Sequence, residues 1–145
     1  MGLAATAGRF SRPFLVTKDT MNIIRIGAIS AGIAVAAGAF GAHGLKSVID
    51  APAIEIWKTG VQYHLAHALA MLLVASLAGQ VELKVTQTVG KLFLVGQAIF
   101  AGSLYLLAVT GIKWLGAITP LGGVCFLLGW GYLALSAGKP GKLER

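Results

Sequence analysis

The sequence predicts an all-α integral membrane protein: a four-helix bundle with a short interfacial helix between its first two spans. Composition is the first reason. Apolar residues make up 57% of the 145 residues and charged residues only 12%, with a mean hydropathy of +0.80. Soluble domains carry roughly 25% charged residues, so the apolar excess must face lipid. Charge placement is the second. Arg25 and Lys46 bracket an uncharged run of about 20 residues, enough to cross a hydrocarbon core of ~30 Å as helix, and similar runs lie between Lys58 and Glu82, Lys91 and Lys113, and Lys113 and Lys139. The third is periodicity. None of these runs alternates polar with apolar, which disfavours a β-barrel and leaves helices as the way to satisfy backbone groups in lipid.

The spans are expected at about residues 23–44, 59–81, 92–112 and 114–137, within a membrane domain covering 22–138. Pro52, followed by Glu55 and Trp57, suits the first turn of the interfacial helix. Residues 1–21 form an N-terminal extension with arginines and no acid before Asp19, which reads either as a mitochondrial targeting segment or as a disordered bacterial tail. Residues 139–145 are a basic tail. Nine Lys and Arg residues fall in the N-terminal segment, the second loop and the tail, against three (Lys46, Lys58 and Lys113) on the opposite face. The positive-inside rule then puts both termini on the cytoplasmic or matrix side.

The first span is rich in small residues at spacings of four, among them Gly27, Gly32 and Gly38, followed by Gly41 and Gly44. Such patterns let helix backbones approach closely, and they predict that this helix is the central one. Gly102 in the third span, and Pro120, Gly122 and Gly123 in the fourth, extend the expected packing surface. No internal repeat suggests a transporter-like duplication.

Polar residues inside spans are costly and are the functional candidates by default. With this topology His43 ends the first span and His64 and His67 begin the second. Tyr63 is beside them, and Ser103, Tyr105 and Thr119 fall in the same half of the bilayer. These seven are expected to line one polar pocket; Gln97 lies deeper. Imidazoles suit Zn, Cu and Fe, so a metal, a haem or a quinone is a conceivable occupant. Interhelical hydrogen bonding without any cofactor is the plainer reading, because no carboxylate lies in the spans and two histidines three apart are a weak ligand motif. No nucleophile elbow, phosphate loop or carboxylate pair is present. The single cysteine, Cys125, excludes an internal disulfide framework. A nucleic-acid partner is excluded as well: the net charge of +7 arises from having only five acids, not from a basic patch.

The segments GAFGAHG (Gly38 to Gly44), YHLAHALA (Tyr63 to Ala70), FAGSLYLLA (Phe100 to Ala108), TPLGG (Thr119 to Gly123) and LGW (Leu128 to Trp130) occur in this order. Together they resemble the transmembrane protein 256 family over about residues 22–137. The resemblance implies a four-helix membrane protein, often mitochondrial in eukaryotes, and brings no catalytic residues. The expected function is therefore non-enzymatic: an accessory or assembly subunit of a larger membrane complex, a respiratory one being the natural partner in an energy-transducing membrane. The alternative is a small quinone-, haem- or metal-binding protein built on the histidines. The mitochondrial inner membrane is the expected location, with a bacterial plasma membrane as the alternative.

Overall fold

Why α1 starts where it does is a matter of capping. Thr17 is extended, and its hydroxyl accepts the Thr20 N–H at 3.2 Å, while Asp19 complements the positive end of the helix dipole. The computed structural model describes residues 17–136. Most of the expected N-terminal extension, and all of the basic tail at 139–145, lie outside the described residues, and so do Arg9, Arg12, Lys139, Lys142 and Arg145 of the charge asymmetry. Helix α1 runs Lys18–His43 and closes with the Gly44 N–H on the Phe40 carbonyl at 2.7 Å.

After a turn over residues 44–49, Asp50 caps α2 (Ala51–Ser76) by accepting the Ala53 N–H at 2.8 Å, with Pro52 in the first turn. Nothing interrupts the helix between Pro52 and Gly60, and Glu55 and Lys58 pair across one turn at 2.7 Å. The short helix expected between the first two spans is therefore the start of α2 itself, continuous with it, not a separate element. Helix α3 (Leu83–Thr110) ends at Gly111, whose φ of +70° is the left-handed conformation that glycine adopts without strain. Helix α4 (Leu115–Ser136) follows after a tight connection and continues through Pro120.

Three helices, α1, α3 and α4, are long and apolar enough to cross a membrane by composition alone. Helix α2 is diluted by Gln62, Tyr63, His64 and His67, yet it runs antiparallel to both α1 and α3. Gly27 of α1 meets Met71 and Ala68, Gly38 meets Val61, and Gly41 meets Trp57; on the other side Gly60 meets Leu104 and Tyr105. At 1.5 Å per residue its 26 residues span about 39 Å, so it shares the depth of its neighbours.

The packing order corrects one expectation. α1 is not central: it packs along α2 and meets α3 at few points, where Ile23 meets Gly90 and the Gln87 amide donates to Asp19 at 2.8 Å near one end, and where Ser30 bonds Gln97 further along. The central pair is α2 and α3, with α1 on one flank and α4 on the other. Their shared core is Met71, Val74, Val85, Val89, Phe93 and Phe126, with Ile23 reaching in from α1. Apolar residues on the outer faces of α1 and α4, such as Val35, Leu127 and Leu135, are exposed in the bare chain, as lipid-facing positions should be.

The glycines divide by position. Gly27, Gly38 and Gly41 seat α2 against α1, and Gly44 lies under the Phe40 ring. Gly122 sits against the backbone of α3 at Phe100 and Gly96, with Gly123 looser beside the Phe100 ring. Gly32 and Gly102 have no atom within 4 Å of where a Cβ would stand. Gly32 faces outward and Gly102 faces the gap between α1 and α3, because the seams they were expected to serve lie on other sides of their helices.

Candidate functional site

Beyond the Ile23–Gly90 contact, α1 and α3 diverge and leave a lateral groove of about 410 Å³. Its walls are Ile26, Ile29 and Ile33 on α1 and Leu94, Ala98, Ala101 and Gly102 on α3. At its floor lie Ser30, His64, Gln97 and Tyr105, contributed by three helices, with little of their polar surface open to the groove. From Leu94 to Tyr105 the groove extends about 16 Å along α3.

The floor residues form one chain of hydrogen bonds. The Ser30 hydroxyl donates to the Gln97 side-chain carbonyl. That leaves Ser30 Oγ to accept from His64 Nε2 at 3.0 Å, which places the imidazole proton on Nε2. His64 Nδ1 then accepts the Tyr105 hydroxyl proton at 3.2 Å. At the far end the Gln97 amide donates to Met71 Sδ at 3.4 Å. All donors point the same way along the chain, so each bond polarises the next. Ser30 and Gln97 are 7% and 4% exposed, so nearly all of each lies out of reach of water or lipid headgroups. Tyr105 is held from behind by the Trp57 ring, 4.5 Å centroid to centroid, and Trp57 is fixed by donating its indole N–H to the Ala37 carbonyl at 2.9 Å.

His67 belongs to a different place. Three residues along a helix set side chains only about 60° apart, and here that step is enough to turn His64 toward α1 and α3 and His67 toward α4. Its Nδ1–H donates to the Tyr63 carbonyl at 2.9 Å, and its Nε2 accepts the Trp130 indole N–H at 3.2 Å. A carbonyl only accepts and an indole only donates, so this imidazole is neutral with its proton on Nδ1. It stacks on Phe126 at 3.5 Å and meets the Phe93 ring edge-on. Tyr63 points its ring at Phe100 and is exposed. Ser103 and Thr119 join α3 to α4 at 2.8 Å, away from both histidines. His43 is exposed at the end of α1 and makes no side-chain hydrogen bond among the described residues. The seven residues expected in one pocket are thus distributed over three contacts and an exposed helix end; only His64 and Tyr105 meet in the groove.

Both ring nitrogens of His64 and of His67 are engaged, so coordination of a metal or haem would require breaking one of these bonds at each imidazole. Among the described residues no group of three His, Cys, Asp or Glu side chains converges. Sequence reasoning missed Ser30, which sits in a run of small residues and reads as a spacer, and it left Gln97 outside the pocket. It placed Trp57 on an interfacial helix and gave Trp130 no partner. Trp57 is buried, and Trp130 is the partner of His67.

The His67 contact has a measurable consequence. His67→Gln keeps a donor and an acceptor and is expected to cost little, whereas His67→Leu orphans the Trp130 N–H. Interhelical hydrogen bonds in membranes contribute ~0.6 kcal/mol on average, up to ~2, so Leu should destabilise by about 1–2 kcal/mol more than Gln. Unfolding both variants in detergent micelles tests this; equal stability would mean that the bond carries no weight.

Residues 37–123 match the family model described as a protein of unknown function, DUF423. The chain belongs to this family. The match takes in four of the five motifs noted above, from GAFGAHG to TPLGG. The family's curated bacterial members share most of this chain. The UPF0382 membrane protein YwdK of Bacillus subtilis is 49% identical over 117 residues, 80% of this chain and 95% of the relative. UPF0382 membrane proteins of Staphylococcus saprophyticus and Staphylococcus aureus are each 41% identical over 116 residues, covering 80% of this chain and 96% and 94% of the relatives. No solved structure matches. The chain is a multi-pass integral membrane protein, like these relatives, and a bacterial plasma membrane fits them.

Proposed function

We propose that this chain is a non-enzymatic membrane protein that holds a lipid-dissolved molecule in the α1–α3 groove. One observation carries the reading: a groove with apolar walls lies open to the side between α1 and α3, over a floor whose polar groups are already bonded to one another. A molecule with an apolar body would fill the space between the isoleucine wall and the small-residue wall without leaving a void in the bilayer. We further propose that it works as an accessory or assembly subunit of a larger membrane complex, a respiratory complex in an energy-transducing membrane. The open faces at Gly32 and Gly131, where a neighbouring helix could approach closely, favour this second part. The bacterial relatives favour a plasma membrane for that complex; the resemblance to the transmembrane protein 256 family supports a mitochondrial inner membrane as the counterpart, with both termini on the inner side.

A photoreactive amino acid at Ala98, on the groove wall, tests the first part, and one at Gly32 tests the second. Illumination in native membranes is expected to attach a small lipophile at Ala98 and a protein at Gly32. Labelling of a protein at Ala98 would make the groove a helix-docking seam instead, and labelling of bulk phospholipid alone at both positions would overturn both parts.

A further inference from the structure

Helix α2 carries more polar groups than the bundle consumes. It is the one of the four described helices that falls short of a membrane span on composition. His64 and His67 are bonded to α1, α3 and α4 inside the bundle. Gln62 is not: it is exposed, and its carboxamide makes no hydrogen bond among the described residues. Lys58, one turn nearer the helix start, is occupied by Glu55 at 2.7 Å. An amide left in hydrocarbon without a partner is costly, and polar side chains in spans are commonly bonded across helices.

The face that Gln62 occupies follows from the seams. On α2, Trp57, Val61 and Ala68 meet α1, and Gly60 meets α3. At about 100° per residue, Gln62 and Leu69 then stand on the side turned away from α3. On α1, Gly27, Gly38 and Gly41 meet α2, while Ser30 and Ile33 lie on the α3 side. Gly32, Val35 and Ala39 therefore stand on the same free side of the hairpin, each of them exposed. The Gly38–Val61 contact puts Gln62 level with the stretch between Gly32 and Ala39. One face thus carries a protruding amide on one helix and, at the same depth, a low track on the other. A two-fold axis along the membrane normal preserves depth and exchanges the two helices, which lays each amide on the other copy's track, as an isologous contact requires. We infer that the chain pairs with a second copy of itself through this face, each Gln62 amide donating to a main-chain carbonyl of the other copy between Gly32 and Ala39. Helix carbonyls keep a second lone pair, and glycine and alanine leave it within reach. Val35, exposed in the bare chain, is covered in the pair. This rests on the reading of the Gly32 face as a protein contact, names that protein, and leaves the Gly131 face to the larger complex.

The test uses the full chain in liposomes. Copies fused at the C terminus to donor and acceptor fluorescent proteins are mixed, and energy transfer is followed as lipid dilutes them. A saturable dimer is expected. Gln62→Leu should weaken it about tenfold, equivalent to about 1.4 kcal/mol for two symmetry-related bonds. Gly32→Leu should abolish transfer; within its own chain the new side chain enters open space, so helix content should match the parent. In a Cys125→Ser background, one copy with Gln62→Cys and another with Ala39→Cys should form an intermolecular disulfide with added oxidant, whereas two copies with Leu127→Cys on α4 should not. Monomers at every dilution, a Gln62→Leu or Gly32→Leu chain that pairs like the parent, or equal cross-linking through position 127 would overturn the inference. Attachment of a different protein from position 32 in native membranes would overturn the pairing alone and leave the subunit reading. Attachment of phospholipid alone there would remove both the pairing and the Gly32 contact.

Discussion

Replacing Gly122 by leucine is expected to separate α3 from α4 and to cost the largest share of stability of any single substitution in the bundle. A Cβ at this position would stand 2.5 Å from the Phe100 backbone nitrogen and 2.9 Å from the Gly96 carbonyl oxygen. Those are main-chain atoms of a continuous helix, so no rotamer change relieves the contact. Overpacking against movable side chains typically costs ~1–3 kcal/mol; here two helix backbones must move apart, and a loss above about 3 kcal/mol follows. The Ser103–Thr119 bond lies along the same seam, and the Phe126 stack on His67 ties α4 to α2 beside it; both would be pulled with it. Even Gly122→Ala should be clearly destabilising. Gly131→Ala on the same helix is the control: no atom lies within 4 Å of its Cβ, and relief of glycine's backbone entropy should leave the protein unchanged or stabilise it by about 0.5–1 kcal/mol. Thermal or denaturant unfolding in one detergent compares the three. If Gly122→Leu and Gly131→Ala melt together, the close crossing of α3 and α4 does not exist.

The second large effect is at Trp57. The side chain fills the space over Gly41, meets Phe40 edge-on, supports the Tyr105 ring and donates to the Ala37 carbonyl. Trp57→Ala removes all of this and leaves a void between three helices, and losses of ~3–5 kcal/mol are usual for such truncations. Trp57→Phe retains most of the ring contact and forfeits the hydrogen bond, so a cost of about 1 kcal/mol is expected. Because Trp57 holds Tyr105 against His64, the alanine variant should also loosen the groove floor. Measuring unfolding together with photolabelling from Ala98 separates the two consequences. A Trp57→Ala protein as stable as the parent would return Trp57 to the role of an interfacial anchor.

Both effects arise at positions whose residue type was conspicuous in the sequence and whose partners were not. Composition and charge spacing sufficed for the helical membrane bundle, because a chain this apolar has few ways to satisfy its backbone in lipid. The caps were equally local: Thr17, Asp50 and Gly111 act within a few residues of themselves. Small residues in the first span announced close packing, and Gly27, Gly38 and Gly41 do seat α2. The same pattern could not say that Gly32 faces outward, since which side of a helix meets a neighbour depends on where the other helices stand.

The candidate site shows the boundary most clearly. His64 and His67 sit three residues apart, and that spacing is compatible with one shared pocket. The relative positions of α1 and α4 around α2 put them to different uses instead, one bonded to Ser30 and Tyr105, the other to Trp130. Ser30, 34 residues from His64 and 67 from Gln97, completes the groove floor only when three helices converge. Residue type and periodicity determined that this protein lives in a membrane as helices with a few polar groups inside. Helix rotation and the divergence of α1 from α3 decided which of those groups face one another, because hydrogen-bond partners across helices are set by packing in three dimensions and leave no period in the chain.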